Sequence, residues 1–289
     1  MLILFLLISS AVGLEPCSNN SNANPKICYL NKDPPLLKPE GYNSVSPTIV
    51  SQSVTLYSIG DFDELKSTIT LNFLLTVFWN DSRLSMNPPA SWLSIDKDVA
   101  SNIFSPTIKF LNIKSMKREG KYGVVDKDPF WMEYPHYFEH QKALEIELYC
   151  HFDFQNFPFD HHRCLFAFGS SEFTSDELPF NPTRIRYENV LKTCEDQSEN
   201  VSVKQNRLPF EISLSCIMPF IHFEAGLDHS YAGIEINFTR NSFGTLIGGF
   251  YIPTGIFAYL SLISFSIDVN MVNIKIRSFY TELNSLIEC

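Results

Sequence analysis

The sequence predicts an all-β sandwich followed by one transmembrane α-helix, and three observations carry that prediction. Short β-branched and aromatic segments of alternating polarity recur between Thr48 and Arg240, punctuated by Pro, Gly, Asn and Asp. An uncharged stretch, Asn241 to Ile267, follows them and is long enough to cross a bilayer once. A short apolar leader opens the chain and marks it for export. With 289 residues, 45% of them hydrophobic and 19% charged, the chain has material for a sizeable core in one large domain or two small ones.

Residues 1–13 read as a signal peptide: the apolar run Leu2 to Ile8 is followed by small residues ending in Ala11-Val12-Gly13, and is too short to span a membrane. The mature chain is expected to begin near Leu14. Export implies an oxidising compartment, which suits the seven Cys and the glycosylation sequons at Asn19, Asn80, Asn200 and Asn237. Residues 14–46, rich in Asn, Pro, Ser and Lys, form a leader of little periodicity in which Cys17 and Cys28 can close a small loop. Residues 47–240 make the sandwich, with Thr68 to Trp79, Ala143 to Tyr149 and Ile234 to Phe238 as strands.

Residues 246–267 make the membrane helix. Pro253 and the paired glycines before it would break a soluble helix, whereas neighbouring helices of a membrane bundle can satisfy the freed carbonyl. Lys275 and Arg277 then place residues 268–289 in the cytoplasm as a short tail. The expected topology is a single-pass plasma-membrane protein with its N-terminal domain outside.

Several function classes are excluded on the same grounds. A net charge of -10 without a Lys/Arg run argues against a nucleic-acid partner, while an acidic exported domain draws cations towards itself. No Gly-rich phosphate loop, nucleophile elbow or His-Glu-x-x-His stretch is present, so neither an enzyme nor a cofactor is expected. His161-His162 and the pair His136 and His140 fall on strands or turns, where a spacing of four does not converge on one ion, and no third ligand follows; no metal site is expected.

Thirteen residues, His151 to Arg163, stand between Cys150 and Cys164, and they contain Phe152, Phe154 and the turn Phe157-Pro158-Phe159-Asp160. Trp79-Asn80-Asp81-Ser82-Arg83-Leu84 matches a Trp-x-Asp-x-Arg-Leu strand motif, Ile59 to Glu64 an acidic turn between two strands, and Phe104-Ser105-Pro106 a Trp-x-Pro with Phe for Trp. Phe168-Gly169-Ser170, Arg240, Tyr251-Ile252-Pro253 and Ser264-Phe265 complete the series. From about Thr48 to Val272 the chain resembles the pentameric Cys-loop ligand-gated ion channels, the neurotransmitter receptor subunits, and within them the extracellular ligand-binding domain plus the first transmembrane helix.

What the resemblance implies is an immunoglobulin-like β-sandwich that assembles as a homo- or hetero-pentamer and binds a small molecule between neighbours, in a box of aromatic rings that holds a cationic amine. It implies a disulfide between Cys150 and Cys164. It also implies a coupling junction made by Asp61, Asp63 and Glu64 of the acidic turn, by Phe157, Pro158 and Asp160 of the Cys-loop, and by Arg240, with Asp160 facing Arg240. The box is depleted here: the matching positions are Leu74, Leu111 and Ser171, and only Phe223 and Tyr231 keep rings. Three missing rings forfeit most of the cation–π attraction, roughly 0.5–2 kcal/mol each, so a small quaternary amine is not the expected ligand. An apolar or amphipathic ligand, or none, remains open, and Phe173, Phe110 and Glu172 are placed to refill the site. Trp79 is expected to be structural, and Tyr231 and Phe223 to line the cleft.

Cys194 and Cys216 form either a second bridge or two structural thiols. After Val272 the sequence departs from the resemblance and carries no further apolar run of spanning length, so the pore helices that ion transport needs are not expected in it. Three readings stay open: a truncated or incompletely predicted channel subunit, a membrane-tethered subunit that enters a ring and poisons it, and a binding protein without a channel.

Overall fold

The computed structural model describes residues 14–17, 24–30, 47–118, 128–187, 190–193, 201–203 and 210–266. The signal peptide, most of the leader, Asn19, Cys194, Asn200 and the tail with Lys275 and Arg277 lie outside the described residues. Among the described residues the strands are β1 (Glu15–Pro16), β2 (Lys26–Tyr29), β3 (Ser51–Asp63), β4 (Thr68–Asn80), β5 (Leu84–Asn87), β6 (Trp92–Ser94), β7 (Ile108–Phe110) and β8 (Ile113–Arg118). They continue as β9 (Phe130–Glu133), β10 (Tyr137–Tyr149), β11 (His161–Ser170), β12 (Arg184–Tyr187), β13 (Val190–Thr193), β14 (Val201–Val203), β15 (Phe210–Glu224) and β16 (Leu227–Arg240).

β4 shows why these segments are strands. Its residues Leu71, Phe73, Leu75 and Val77 are buried while Thr70, Asn72, Leu74 and Phe78 on the alternate positions are less so, the period-two pattern of a half-buried strand. β4 pairs antiparallel with β3 on one side and with β10 on the other, at the centre of an eight-stranded sheet ordered β13-β12-β3-β4-β10-β9-β6, with β8 also on β10. The second sheet is five-stranded, β14-β15-β16-β11-β7, and a small third sheet joins β1, β2 and β5.

The two large sheets share one core. Phe73 of β4 meets Phe166 of β11 at 4.9 Å and Phe110 of β7 at 6.0 Å between ring centroids, both edge-on. Burying each such ring contributes about 1.5–3 kcal/mol. Trp79, 2% exposed, packs on Phe138, Phe130 and Phe104. The motif that follows it is structural as well: buried Asp81 accepts hydrogen bonds from the backbone N–H and the guanidinium of Arg83 and so fixes the turn into β5.

A disulfide joins Cys17 to Cys28, and another joins Cys150, just past β10, to Cys164 in β11. Cys216 is also disulfide-bonded. Asn80 is exposed, whereas Asn237 is half-buried and donates its side-chain amide to Ser215.

The chain divides into two units. One contains Met1–Asp153 and His161–Thr239; the other joins the Cys-loop tip, Phe154–Asp160, to the chain from Arg240 onward. In the second unit the helix begins at Ser242 rather than at Leu246, because the Asn241 side chain accepts the Gly244 N–H and caps it. α2 (Ser242–Leu246) runs through a π-helical turn, Ile247–Tyr251, into α3 (Ile252–Ser266). Proline at 253 lacks an N–H and crowds the preceding turn, and the wider π turn just before it relieves that conflict. Ser242–Ser264 is long and apolar enough to cross a membrane.

Candidate functional site

Strand pairing builds the site at one end of the five-stranded sheet. Lys109 of β7 stands opposite Gly169 of β11, and Gly169 stands opposite Tyr231 of β16. Directly paired residues present their side chains on the same face, so the three form one row. Gly169 leaves the middle of the row empty, and the Tyr231 ring fills it: a Cβ there would lie 2.8 Å from ring atoms Cγ and Cδ1. Tyr231 is 0% exposed, stacked on Phe220 at 6.1 Å and met edge-on by His222 at 5.6 Å.

The β15–β16 hairpin supplies the remaining group. Ala225 and Gly226, with φ of 53° and 86°, make its turn, and Glu224 just before them forms an ion pair with Lys109. The Glu224 hydrogen bond holds the Lys109 ammonium above the usual lysine range, and the same bond holds the Glu224 carboxyl below the usual carboxylate range. Burial pushes the Tyr231 phenol up, with the Lys109 ammonium opposing and Glu224 adding to the rise. The Tyr231 hydroxyl makes no close hydrogen bond among the described residues, and the Glu224 carboxylate is the acceptor that acts on it.

The residues singled out by sequence are distributed around this row. Phe223, 70% exposed, stands on the hairpin beside Glu224. Ser171 is exposed at the end of β11, and Glu172 beside it is exposed too. Phe173 is half-buried against Phe104 at 5.8 Å, and Leu111, half-buried, donates its N–H to Ala167 O as the chain leaves β7. Leu74 belongs to the other large sheet, on the face of β4 turned from the core. Phe110 does not refill the site: it is buried and stacks on Phe166 at 5.9 Å, because the alternation along β7 turns it inward where Lys109 turns out. Tyr231 lies beneath the surface of the row. Lys109, Glu224, Phe220 and His222 carry no sequence signal, since only the order of β15, β16, β11 and β7 brings them together.

At the Cys-loop, Phe152 stacks on Phe62 at 4.4 Å, and His162, 1% exposed, is ringed by Phe62, Phe152 and Phe210. His162 Nδ1 accepts the Asp153 N–H, so it is a packed core histidine. Among the described residues no group of His, Cys, Asp or Glu could hold a metal ion.

The loop tip and the chain entering the helix are joined by charge. Arg240 donates from Nε and Nη2 to the two carboxylate oxygens of Asp160 at 2.8 and 3.0 Å, and its backbone N–H reaches Asp160 O at 3.2 Å. Both are buried, at 7% and 1% exposure. The guanidinium also lies 5.0 Å from the centroid of the Phe157 ring, beside the cis Phe157–Pro158 bond.

In the acidic turn, Asp63 accepts from the Lys66 ammonium and backbone N–H, which hold its carboxyl below the usual range. Glu64 is half-buried, and the Asp61 side chain is outside the described residues. A polar groove of about 820 Å³ adjoins the turn, lined among others by Asp63, Glu64, Lys117, Glu145 and Glu147.

A β-sandwich with a disulfide-closed loop, whose tip is salt-bridged to the residue before an apolar helix, has the architecture of a receptor ligand-binding domain. The neurotransmitter-gated ion-channel ligand binding domain family matches this chain over residues 31–223, and the chain belongs to that family. It is a family of receptors and not of enzymes. The chain is similar to the gamma-aminobutyric acid receptor subunit gamma-1 of Homo sapiens, 24% identical over 145 residues, which is 47% of this chain and 29% of that protein. Against the gamma-aminobutyric acid receptor subunit epsilon of Rattus norvegicus it is 24% identical over 232 residues, 77% of this chain and 42% of that one. Against the acetylcholine receptor subunit beta-type acr-2 of Caenorhabditis elegans it is 26% identical over 144 residues, 50% and 24% of the two chains. The chain thus spans less than half the length of these relatives.

Proposed function

We propose that this chain is the extracellular ligand-binding portion of a neurotransmitter-gated channel subunit, held in the plasma membrane by the helix after Arg240. A small-molecule ligand binds between neighbouring subunits of a homo- or hetero-pentamer, and the Asp160–Arg240 pair carries the effect of binding from the Cys-loop to the membrane helix. Residues 1–13 are the signal peptide, 47–240 the exported domain, 246–267 the span and 268–289 the cytoplasmic segment.

The observation that carries this reading is the bidentate, buried Arg240–Asp160 bond, which ties the loop tip to the residue preceding the helix. An interface site is supported by Leu74, which belongs to a different sheet from Phe223 and Tyr231, so that a pocket using both faces is completed by a second copy or a related subunit. The shortage of rings at Leu74, Leu111 and Ser171 argues for a ligand other than a small quaternary amine.

The test is cross-linking of the tagged full chain in the membranes of cells that naturally express it. Covalent ladders reaching five subunits, with the tag on the sandwich accessible from outside the cell, are expected. A chain that stays monomeric at every cross-linker concentration sinks the proposal.

A further inference from the structure

Resting on that reading of the site, we infer that Lys109 is a tethered cation that fills the site's own ammonium seat, made by the Glu224 carboxylate beside the buried ring of Tyr231, and thereby excludes free amines.

The chemistry of the seat is that of an ammonium receptor. A carboxylate gives a charge-assisted hydrogen bond, and Tyr231, packed with Phe220 and His222, places aromatic rings in the same row. The group found in it is the chain's own ammonium. An exposed lysine–glutamate pair alone would carry no such meaning, because most are worth under about 1 kcal/mol.

Two features lift this pair out of that class. Tyr231 is fully buried, and both Glu224 and Lys109 act on its phenol, so the pair sits over a buried polar group rather than over open solvent. And Gly169 leaves the gap that lets the Tyr231 ring reach across towards Lys109. A tethered ammonium competes with free ones at high effective concentration, so the site rejects small amines without needing a steric wall. The same pair holds the tip of the β15–β16 hairpin to β7, so vacating the seat also frees that tip.

The experiment uses the full chain in detergent and n-butylammonium, which is the lysine head and stem untethered, with binding read by titration calorimetry. Lys109→Ala should bind n-butylammonium at least about tenfold more tightly than the natural chain, a difference of about 1.4 kcal/mol. The double variant Lys109→Ala with Glu224→Gln should lose that gain, and Lys109→Arg should behave as the natural chain does. Folding of each variant is checked by the Cys150–Cys164 bond under non-reducing conditions. Should Lys109→Ala fail that check, Lys109→Met, which keeps the stem and removes the charge, takes its place. Equal binding by the natural chain and the vacated variant, or no binding by a folded vacated variant, overturns the inference. Such a failure in a chain that still cross-links to five leaves the receptor reading standing. A vacated seat that binds in a chain that never assembles shows the reverse.

Discussion

Arg240 and Asp160, eighty residues apart in sequence, meet fork to fork: two side-chain hydrogen bonds of 2.8 and 3.0 Å, and a third between their backbones. Both side chains are almost wholly withdrawn from water. Desolvating two charges costs several kcal/mol, and only this complete geometry offsets it. Arg240→Ala leaves a buried carboxylate unpaired and should cost about 3–5 kcal/mol, read as a severalfold fall in surface delivery of the full chain. Arg240→Lys should fall between, because an ammonium cannot reproduce the fork. Arg240→Asp should be worst, and adding Asp160→Arg should recover part of the loss. Equal delivery of all these variants would show that the pair contributes nothing.

The Cys150–Cys164 bond closes a loop of sequence separation 14 between strands of the two sheets. In the chain-entropy account such a loop is worth about 3 kcal/mol. Cys150→Ser with Cys164→Ser should therefore lower the yield of folded chain, and peptide mapping without reductant should recover the two cysteines of the natural chain as one linked species. Recovery of both as free thiols would contradict the structure.

What could be read from the sequence was what lies close together along it. The alternation Leu71, Phe73, Leu75 is visible as letters because a strand shows its two faces in turn, and the Cys-loop is legible because its turn and both cysteines fall in one short stretch. The family resemblance and the β-sandwich followed directly from such local signals. The ion pair of Lys109 with Glu224 did not, since 115 residues separate them and only the order of β15, β16, β11 and β7 makes them neighbours. Phe110 was misplaced for a related reason: at the end of a three-residue strand, one step of register decides between core and surface, and composition does not fix it. The helix begins before the apolar run from Leu246 because hydropathy registers apolar residues, whereas the first turn is set by a polar cap, Asn241.

Trp79 and Phe223 are both aromatic residues in the sandwich unit, and the structure separates their roles. Trp79 is enclosed by Phe104, Phe130 and Phe138, so Trp79→Ala should cost about 3–5 kcal/mol of stability. Phe223 projects from the hairpin, and Phe223→Ala should stay within about 0.5 kcal/mol of the natural chain. Tyr231→Ala should resemble Trp79→Ala in stability, because its ring is equally enclosed. Chemical denaturation of the three variants checks all of this, and an unstable Phe223→Ala would contradict it.

Gly169→Ala tests the row from its middle. The added methyl meets the Tyr231 ring and the Ser230 backbone carbonyl, and a backbone oxygen cannot swing aside as a side-chain tip could. Overpacking of this kind costs about 1–3 kcal/mol. A lower unfolding midpoint is expected, with unchanged mobility on a non-reducing gel. A variant as stable as the natural chain would mean that Tyr231 does not occupy the gap.

The last prediction concerns pH and the Lys109–Glu224 pair. Glu224 titrates below the usual carboxylate range in the folded chain, so its contribution is complete above the unfolded value of about 4.3 and is lost as pH falls through its lower folded value. Lys109 titrates above the usual lysine range, so its contribution is complete below about 10.4 and is lost as pH rises through its higher folded value. Between those limits neither member of the pair changes its own charge, while His222 and His229 also act on Glu224. Thermal midpoints of the natural chain and Glu224→Gln should therefore differ by a constant amount from about pH 8 to pH 9 and converge in strong acid and in strong base. Because both side chains are about two-fifths exposed, added salt should shrink the difference, the screening length being about 8 Å at physiological ionic strength. A difference that changes between about pH 8 and pH 9 would contradict this; below that window His222, edge-on to Tyr231, and His229 also act on Glu224.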